Sequence, residues 1–181
     1  MELKKTDKKT RSRWRSLFLE AFPPEERPSF GHVWRRVNRG YADCWDLTEN
    51  GEWVGLAYVI RRERLAYLFF FAVREDRRGQ GCGSRALAAL HAHYAEYRFF
   101  LALEELDPAA ENYAERVKRH AFYERAGLHD LPCRIREVGV TYAVMGWDGS
   151  PSPEEYRRLM DAWQGWPARR LVEMALLPDQ S

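Results

Sequence analysis

One segment near the middle of the chain sets the architecture: residues 68–90 have the sequence LFFFAVREDRRGQGCGSRALAAL. Its first six residues form an unbroken apolar run, which is typical of a strand covered on both faces. Gly79, Gly81 and Gly83 follow, and apolar residues at helical spacing begin at Leu87. The segment therefore predicts a buried strand, a glycine-bearing loop and the start of a helix.

The loop is suited to binding a phosphate group. Its glycines let the backbone turn tightly and approach a ligand without side chains in the way, so the amides from Arg78 through Ser84 can converge on an anion. The positive end of the following helix favours the same charge. A glycine loop can also be a tight connection that binds nothing, so the loop alone makes a phosphate site a hypothesis.

Two nucleotide-binding alternatives can be compared with these residues. A P-loop needs a Lys-Ser or Lys-Thr pair after its last glycine, whereas Gly83 is followed by Ser84-Arg85. A dinucleotide fold needs a tighter second glycine pair and an acidic residue that closes the next strand. The next strand-like run, residues 99–103, does end in Glu104-Glu105. The second alternative is therefore weakened and stays open.

Two motifs resemble the GNAT superfamily of acyl-CoA N-acyltransferases. Residues 78–83, RGQGCG, resemble the family's Arg/Gln-x-x-Gly-x-Gly signature, and Val73 occupies the strand position that usually precedes it. Residues 119–128, RHAFYERAGL, resemble the second motif, a helix that carries Phe-Tyr and ends at Gly before an apolar residue. The two motifs occur in the family's order, and the recognisable part of the chain covers residues 42–147.

The resemblance implies an α/β (α+β) fold in which helices flank a mixed, mostly antiparallel central sheet of about six or seven strands. Asn50-Gly51 joins two strand-like runs, 41–48 and 52–61, and is the strongest short signal of a hairpin. Residues 65–73 and 99–103 would be strands 4 and 5, and the helix between them predicts a right-handed parallel crossover. In the family these two strands splay apart and admit the pantetheine arm of the cofactor.

Length and composition predict one packed domain that does not bind nucleic acid. The chain has 181 residues, of which 45% are hydrophobic and 14% aromatic, enough for a sizeable core. We therefore treat residues 1–181 as a single GNAT-type domain, in which 152–181 form a C-terminal helical extension with its second helix over 171–177. The 29 basic and 27 acidic residues leave a net charge of +2, which is too balanced to indicate a nucleic-acid partner.

Cysteine usage and the lack of an apolar leader indicate a cytoplasmic protein. Cys44, Cys82 and Cys133 cannot all pair within the chain and have no metal-ligand spacing, so neither a disulfide framework nor a metal site is predicted. The first residues contain no signal core, and no apolar run is long enough to span a bilayer. No membrane partner is expected, and the amphipathic segment 163–177 is consistent with a homodimer.

The resemblance implies that acetyl-CoA is the co-substrate and that an amine attacks its thioester directly in a ternary complex. Such a reaction needs groups that hold the diphosphate, polarise the thioester carbonyl, accept the amine's proton and protonate the thiolate. The residues assigned to cofactor binding lie in the glycine loop, the strand before it and the start of a later helix: Ala72, Val73, Arg78, Gly79, Gln80, Gly81, Cys82, Gly83, Ser84 and Asn112.

Two side chains are the candidates for proton transfer. Tyr123 matches the tyrosine that reaches the thioester sulfur in many family members, so the resemblance implies that it protonates the leaving thiolate. Many members carry a glutamate on strand 4, but the run from Leu68 to Val73 has none. Glu104 is the best substitute as general base, and Glu105 or a chain of waters stays an alternative.

The leading hypothesis is an N-acetyltransferase that acts on the primary amine of a small molecule or a peptide. The missing glutamate keeps a second class open, an acyl-CoA-binding sensor or scaffold that transfers nothing. A protein that has kept only the fold for interaction is the third class. The acceptor itself is not predicted, because acceptor pockets are built from variable loops.

Overall fold

The computed structural model describes residues 1–24, 27–165 and 172–177, which form two compact units. The first unit consists of residues 1–61 and 68–95, and the second of 62–67 and the described residues from 96 onward. These residues contain eight strands and five α-helices. The mixed α/β class is thus confirmed with a slightly higher strand count, whereas the single domain stays a prediction. Within the described ranges, no helix is both long and apolar enough to cross a membrane.

The first unit carries the glycine loop. Its strands lie in the order β1-β2-β3-β4, and β2 pairs antiparallel with both β1 and β3. In chain order its elements are β1 (Glu2–Lys5), α1 (Arg11–Ala21), α2 (Phe30–Asn38), β2 (Ala42–Glu49), β3 (Glu52–Arg62), β4 (Leu65–Val73) and α3 (Cys82–His93). The ends of β3 and β4 that meet at their connection, Arg62 and Leu65–Tyr67, belong to the second unit.

The second unit carries the Phe-Tyr helix. Its strands lie in the order β5-β7-β6-β8, with antiparallel pairing throughout. In chain order its elements are β5 (Arg98–Glu104), α4 (Tyr113–Arg125), β6 (His129–Glu137), β7 (Val140–Gly146), α5 (Pro153–Gln164) and β8 (Val172–Leu176). The Tyr67 ring, at the start of β4, stacks on Phe100 of β5 with centroids 4.7 Å apart. The predicted splay between strands 4 and 5 stays a prediction.

The hairpin between β2 and β3 forms as predicted. Glu49 faces Glu52 in the strand register, and the two residues between them adopt left-handed backbone conformations, with φ of 50° at Asn50 and 83° at Gly51. Asn and Gly tolerate positive φ, so this turn matches the twist of the strands at little cost. Glu49 is the last residue of β2 before this turn. Its side chain lies beside the first turn of α3, where it contacts Arg85.

An aromatic cluster holds α1 against the sheet of the first unit. Trp14 and Phe18, four residues apart on α1, stack with centroids 5.3 Å apart, and Phe18 meets the edge of Phe70 on β4 at 4.9 Å. Tyr58 of β3 completes the cluster, 5.8 Å from Phe70. All four side chains are buried, and each contributes roughly 1.5–3 kcal/mol by removal from water.

A buried carboxylate on β2 anchors the end of α3. Asp43 accepts hydrogen bonds from the Tyr94 hydroxyl (2.9 Å), from Arg61 Nε (2.7 Å) and from Lys5 Nζ. Burial alone would raise the pKa of Asp43, but the hydrogen bonds from Lys5 and Tyr94 and the two cations outweigh it and lower the pKa. Tyr94 directly follows the last residue of α3. The network therefore fixes one end of the helix whose other end bears the glycine loop.

The β6–β7 hairpin differs from the sequence expectation. The alternation of Val138, Val140, Tyr142 and Val144 along the sequence predicts one strand over residues 137–147 with these side chains on one face. Instead Glu137 pairs with Val140, and Val138 (φ 49°) and Gly139 (φ 89°) form a two-residue turn. Val138 is 75% exposed and Val140 49% exposed. The expectation was wrong because the chain reverses direction within the alternating pattern.

Replacing Val138 by Asn should stabilise the protein. A β-branched side chain is strained at positive φ, whereas Asn tolerates this conformation, so we expect V138N to raise the free energy of unfolding by about 1 kcal/mol. Chemical denaturation would measure the change. Val140→Asn is the matched control, because it makes the same exposed Val-to-Asn change without the positive φ. Equal effects of the two substitutions would refute strain as the cause.

The C-terminal extension is only partly helical. α5 begins as predicted at Ser152-Pro153, where Ser152 and Glu155 form a reciprocal capping box. The second predicted helix, residues 171–177, is wrong over its described part: residues 172–176 form β8, which pairs antiparallel with β6. The available edge of β6 supplies hydrogen bonds that local periodicity does not reveal. The rest of the predicted extension, 166–171 and 178–181, lies outside the described residues.

Candidate active site

The glycine loop turns from β4 into α3 through two left-handed residues. After β4 the chain makes a short 3-10 turn, Glu75–Arg77, and then passes through Gly79 (φ 73°) and Gly81 (φ 76°). Most residues with a side chain would be strained at these two positions. Gly81 is the residue that caps α3, so the loop leads directly into the first turn of the helix.

The loop presents a run of backbone amides that the protein does not use. The Arg78 amide donates to the Glu75 carbonyl (3.1 Å), and the Arg85 amide donates to the Gly81 carbonyl (3.1 Å) as the first bond of the helix. Within the described part of the chain, the amides of residues 79–84 between them have no hydrogen-bond acceptor. Unbonded amides at the positive end of a helix are groups that favour a negatively charged ligand. Of the amides predicted to bind a phosphate, that of Arg78 is used by the protein itself, and ligand binding by the others stays a prediction.

The longer side chains of the loop support its shape. Arg78 Nε donates to the Val73 carbonyl (3.2 Å), and Gln80 Nε2 donates to the Asp76 carbonyl (2.9 Å). Cys82 is buried, and burial together with the nearby Glu49 raises the pKa of its thiol. Arg78 and Gln80 therefore bond to the main chain at the surface of the loop, and Cys82 packs beneath it.

At the end of β4, alternate residues face opposite sides. The Arg74 amide donates to the Val54 carbonyl of β3 (2.9 Å), so the main-chain groups of Ala72 point to the same side. A Cβ at Gly55 would lie 2.4 Å from the Ala72 carbonyl oxygen, which explains the glycine there. Val73 consequently directs its N–H away from β3. Of the two predicted β4 residues, Val73 has the orientation of a ligand contact.

Glu49 and Arg85 form an ion pair beside the loop, which the sequence does not predict. Glu49 accepts from Arg85 Nε (2.5 Å) and Nη2 (2.8 Å), and this pairing lowers the pKa of Glu49 to about 2. The Asn-Gly turn predicts where β2 ends. It does not predict that the first turn of α3 lies beside that end. The pairing depends on the packing of α3 beside β2.

Tyr123 belongs to the last turns of α4 in the second unit. Its carbonyl accepts from the Leu128 amide (3.1 Å), and Gly127 (φ 89°) ends the helix, as the second motif predicts. Burial raises the pKa of the Tyr123 hydroxyl to about 12, partly offset by the Arg119 charge. Within the described residues this hydroxyl has no hydrogen-bond partner. It is therefore a protonated donor at neutral pH that the protein itself does not use.

Glu104 and Asn112 lie together in an ionic cluster at the start of α4. Glu104 Oε1 accepts from Arg116 Nη2 (2.9 Å), and its Oε2 accepts from Arg119 Nη1 (3.1 Å). Asn112 donates to both oxygens (3.2 and 3.4 Å) and accepts from Arg116 Nε (2.7 Å). Both carboxylate oxygens are thus engaged, which disfavours Glu104 as a base and Asn112 as a ligand contact.

Glu105, the alternative base, is also paired. Its Oε1 accepts from Arg134 Nε (2.6 Å), and its carbonyl accepts from Arg116 Nη1 (2.9 Å). The two neighbouring carboxylates therefore bind different arginines, whereas Arg116 contacts both residues. Both belong to the contacts that hold α4 and β6 beside the end of β5.

Replacing Glu104 by Gln should affect stability more than catalysis. The amide cannot accept strongly from two guanidinium groups, so we expect E104Q to lower the free energy of unfolding by about 1 kcal/mol, a modest value because the pair is partly exposed. The rise of the reaction rate with pH should keep its position, because both oxygens of Glu104 are already held by arginines. Glu105→Gln is the control for a neighbouring carboxylate. A rise that disappears only in E104Q would contradict this assignment.

The architecture and the loop together define a class of protein, an α/β protein in which a glycine-bearing loop joins a buried strand to a helix. The sequence model of the GNAT acetyltransferase family matches residues 10–128, a range that includes the glycine loop and the Phe-Tyr helix. The chain belongs to the GNAT acetyltransferase family. No curated protein matches it by sequence comparison.

Solved structures show the same fold at low sequence identity. A GNAT-family protein from Bacteroides thetaiotaomicron is 19% identical, with a TM-score of 0.72 over 88% of this chain and 93% of that one. An aminoglycoside 6'-N-acetyltransferase complexed with coenzyme A is 16% identical (TM-score 0.60, 84% and 100%). The ribosomal-protein-S18-alanine N-acetyltransferase from Escherichia coli is 18% identical (TM-score 0.53, 84% and 96%). At identities below 20%, the likeness to these three structures shows the fold alone.

Proposed function

We propose that this protein transfers the acetyl group of acetyl-CoA to a primary amine by direct attack in a ternary complex. The observation that carries the proposal is the run of unbonded amides at residues 79–84, at the start of α3 in a member of an acetyltransferase family. The similarity to an enzyme whose structure contains coenzyme A agrees with this cofactor. The reaction needs no metal and no enzyme nucleophile, because the amine attacks the thioester itself.

The main chain does most of the cofactor binding in this proposal. The amides of residues 79–84 hold the diphosphate, and the Val73 amide donates to the thioester carbonyl, on which negative charge develops. Arg78, Gln80 and Cys82 contribute by keeping the loop in shape. Because main-chain groups are set by φ and ψ, binding depends on the glycines more than on side-chain identity.

Tyr123 donates the proton to the departing thiolate. Its hydroxyl is protonated at every physiological pH because its pKa is about 12. A phenol this weakly acidic stabilises the developing thiolate by a hydrogen bond, and water returns a proton to the phenolate as sulfur takes the proton of the phenol. The proposed catalytic contribution of Tyr123 is therefore constant over the range in which the amine titrates.

The amine loses its proton to water in this mechanism. Glu104 and Glu105 are occupied by arginines, and β4 carries no carboxylate. Water can perform this step because only the small fraction of free amine has to bind. We therefore expect a rate that rises with pH according to the pKa of the acceptor.

The acceptor is the amine of a small molecule or of a peptide. Two of the similar proteins are an aminoglycoside 6'-N-acetyltransferase and a ribosomal-protein-S18-alanine N-acetyltransferase. The fold therefore accommodates both small-molecule and protein acceptors. The cytoplasm is the expected compartment. No nucleic acid or membrane takes part in the proposed reaction, and a homodimer is compatible with it.

Release of free thiol from acetyl-CoA with a panel of amines would test the proposal. We expect turnover with at least one amine, and we expect Tyr123→Phe to lower kcat about 100-fold with little change in KM. Because the phenol stays protonated below about pH 11, the loss should be the same at pH 7 and pH 9. CoA binding without turnover for any amine would instead support an acyl-CoA-binding module, and absence of CoA binding would favour a protein that has kept only the fold.

The main-chain assignment predicts that Gly81 matters more than the Arg78 side chain. A valine at φ 76° is strained and its Cβ would lie 2.7 Å from Arg85 Nη1, so we expect Gly81→Val to weaken CoA binding about 100-fold and Arg78→Gln only a few-fold. Calorimetric titration would measure both. Gly40→Val is the matched control, because Gly40 also has φ 76° but lies at the end of α2. Unchanged CoA affinity of G81V would exclude the loop as the diphosphate site.

A further inference from the structure

The Arg85 side chain is held in a fixed orientation beside the glycine loop. Its Nε and Nη2 form a two-pronged contact with the Glu49 carboxylate, and Nη2 also donates to the Gln80 carbonyl (3.0 Å). Arg85 lies in the first turn of α3, and Glu49 ends β2. The guanidinium group is therefore attached at once to the strand, the loop and the helix. Such a planar fork allows little movement of the side chain.

The third nitrogen of this guanidinium group points along the loop. A Cβ built on Gly81 would lie 2.7 Å from Nη1, so this nitrogen lies directly beside the Gly81 backbone. Within the described part of the chain, Nη1 has no hydrogen-bond acceptor. The side chain is 47% exposed. Nη1 therefore adds two charged donors beside the amides that the protein leaves unbonded.

The charge of Arg85 is unfavourable for the helix alone. A cation in the first turn opposes the helix dipole, and stability by itself would favour an acidic residue there. Glu49 offsets this cost by pairing with the arginine. The pair leaves a charged nitrogen at the anion site, a use that accounts for an arginine at this position.

We propose that Arg85 Nη1 binds the diphosphate of CoA directly and that Glu49 is the positioning residue that aims it. This inference rests on the proposed function, because it assigns a side chain to the same cofactor site. Glu49 keeps its contact with Nε and Nη2 when the cofactor binds, and Nη1 donates to a phosphate oxygen above Gly81. The carboxylate thus raises affinity for an anion, although its own charge is negative.

Binding of three ligands to the full chain would test the assignment: CoA, 3'-dephospho-CoA and pantetheine, which lacks the diphosphate. We expect Arg85→Gln to weaken CoA and 3'-dephospho-CoA about 10- to 100-fold, the range of one charge-assisted hydrogen bond, and to leave pantetheine unchanged. Its CoA affinity should also depend less on ionic strength. Arg39→Gln, which removes an exposed cation at the end of α2 in the same unit, is the matched control and should not alter affinity.

The Glu49 variant separates positioning from repulsion. With Glu49→Gln we expect CoA affinity to fall about 3- to 10-fold, because Nη1 loses its orientation. Arg85→Lys keeps the charge without the fork, so it should recover only part of the affinity lost in R85Q. Thermal unfolding would confirm that each variant is folded.

The possible failures can be distinguished from one another. Wild-type protein that binds no CoA would refute the proposed function itself. If the wild type binds CoA and R85Q binds it equally tightly, the proposed function stays intact and the role of Arg85 is overturned. Loss of pantetheine binding in R85Q would assign its effect to structure instead of the diphosphate. Tighter CoA binding by E49Q would show that Glu49 repels the cofactor, and it would overturn its role as a positioning residue.

Discussion

The structure depends on the left-handed backbone at Gly79 and Gly81. These two residues turn the chain so that it enters α3 with its amides directed away from the protein's own carbonyls. The loop has this shape only if both of its ends are fixed. β4 fixes one end, and α3 is held at the other by its burial against β2 and by the bond from Tyr94 to Asp43. The shape of an exposed loop thus depends on a buried ionic network.

The predicted polar groups fall into two sets: those that form hydrogen bonds within the protein and those that stay available to a ligand. Arg78, Gln80, Glu104 and Asn112 are polar residues that the sequence predicts to contact a ligand, yet each bonds to the protein itself. Within the described ranges, the groups without a hydrogen-bond partner include the amides of residues 79–84, the Tyr123 hydroxyl and Arg85 Nη1. An unbonded polar group is costly where water is excluded, and a bound ligand removes that cost.

Much of the fold could be predicted because local rules control it. The Asn50-Gly51 turn, the bounds of β4, the helix after the glycines and the end of α4 at Gly127 each follow from φ preferences or from apolar periodicity. The β8 strand and the β6–β7 turn could not be predicted in this way. β8 needs the open edge of β6, and the turn interrupts a pattern that looks continuous in sequence.

For this protein, order along the chain is enough to identify the glycine loop, the Phe-Tyr helix and the family to which they belong. It does not reveal the partners of charged side chains. Glu49 and Arg85 are 36 positions apart, and Glu104 meets Arg119 across 15. Ion pairs of this kind form only after strands and helices have packed. Whether a carboxylate can act on a substrate or is held by an arginine is therefore decided by tertiary structure, since the same residue type serves both purposes.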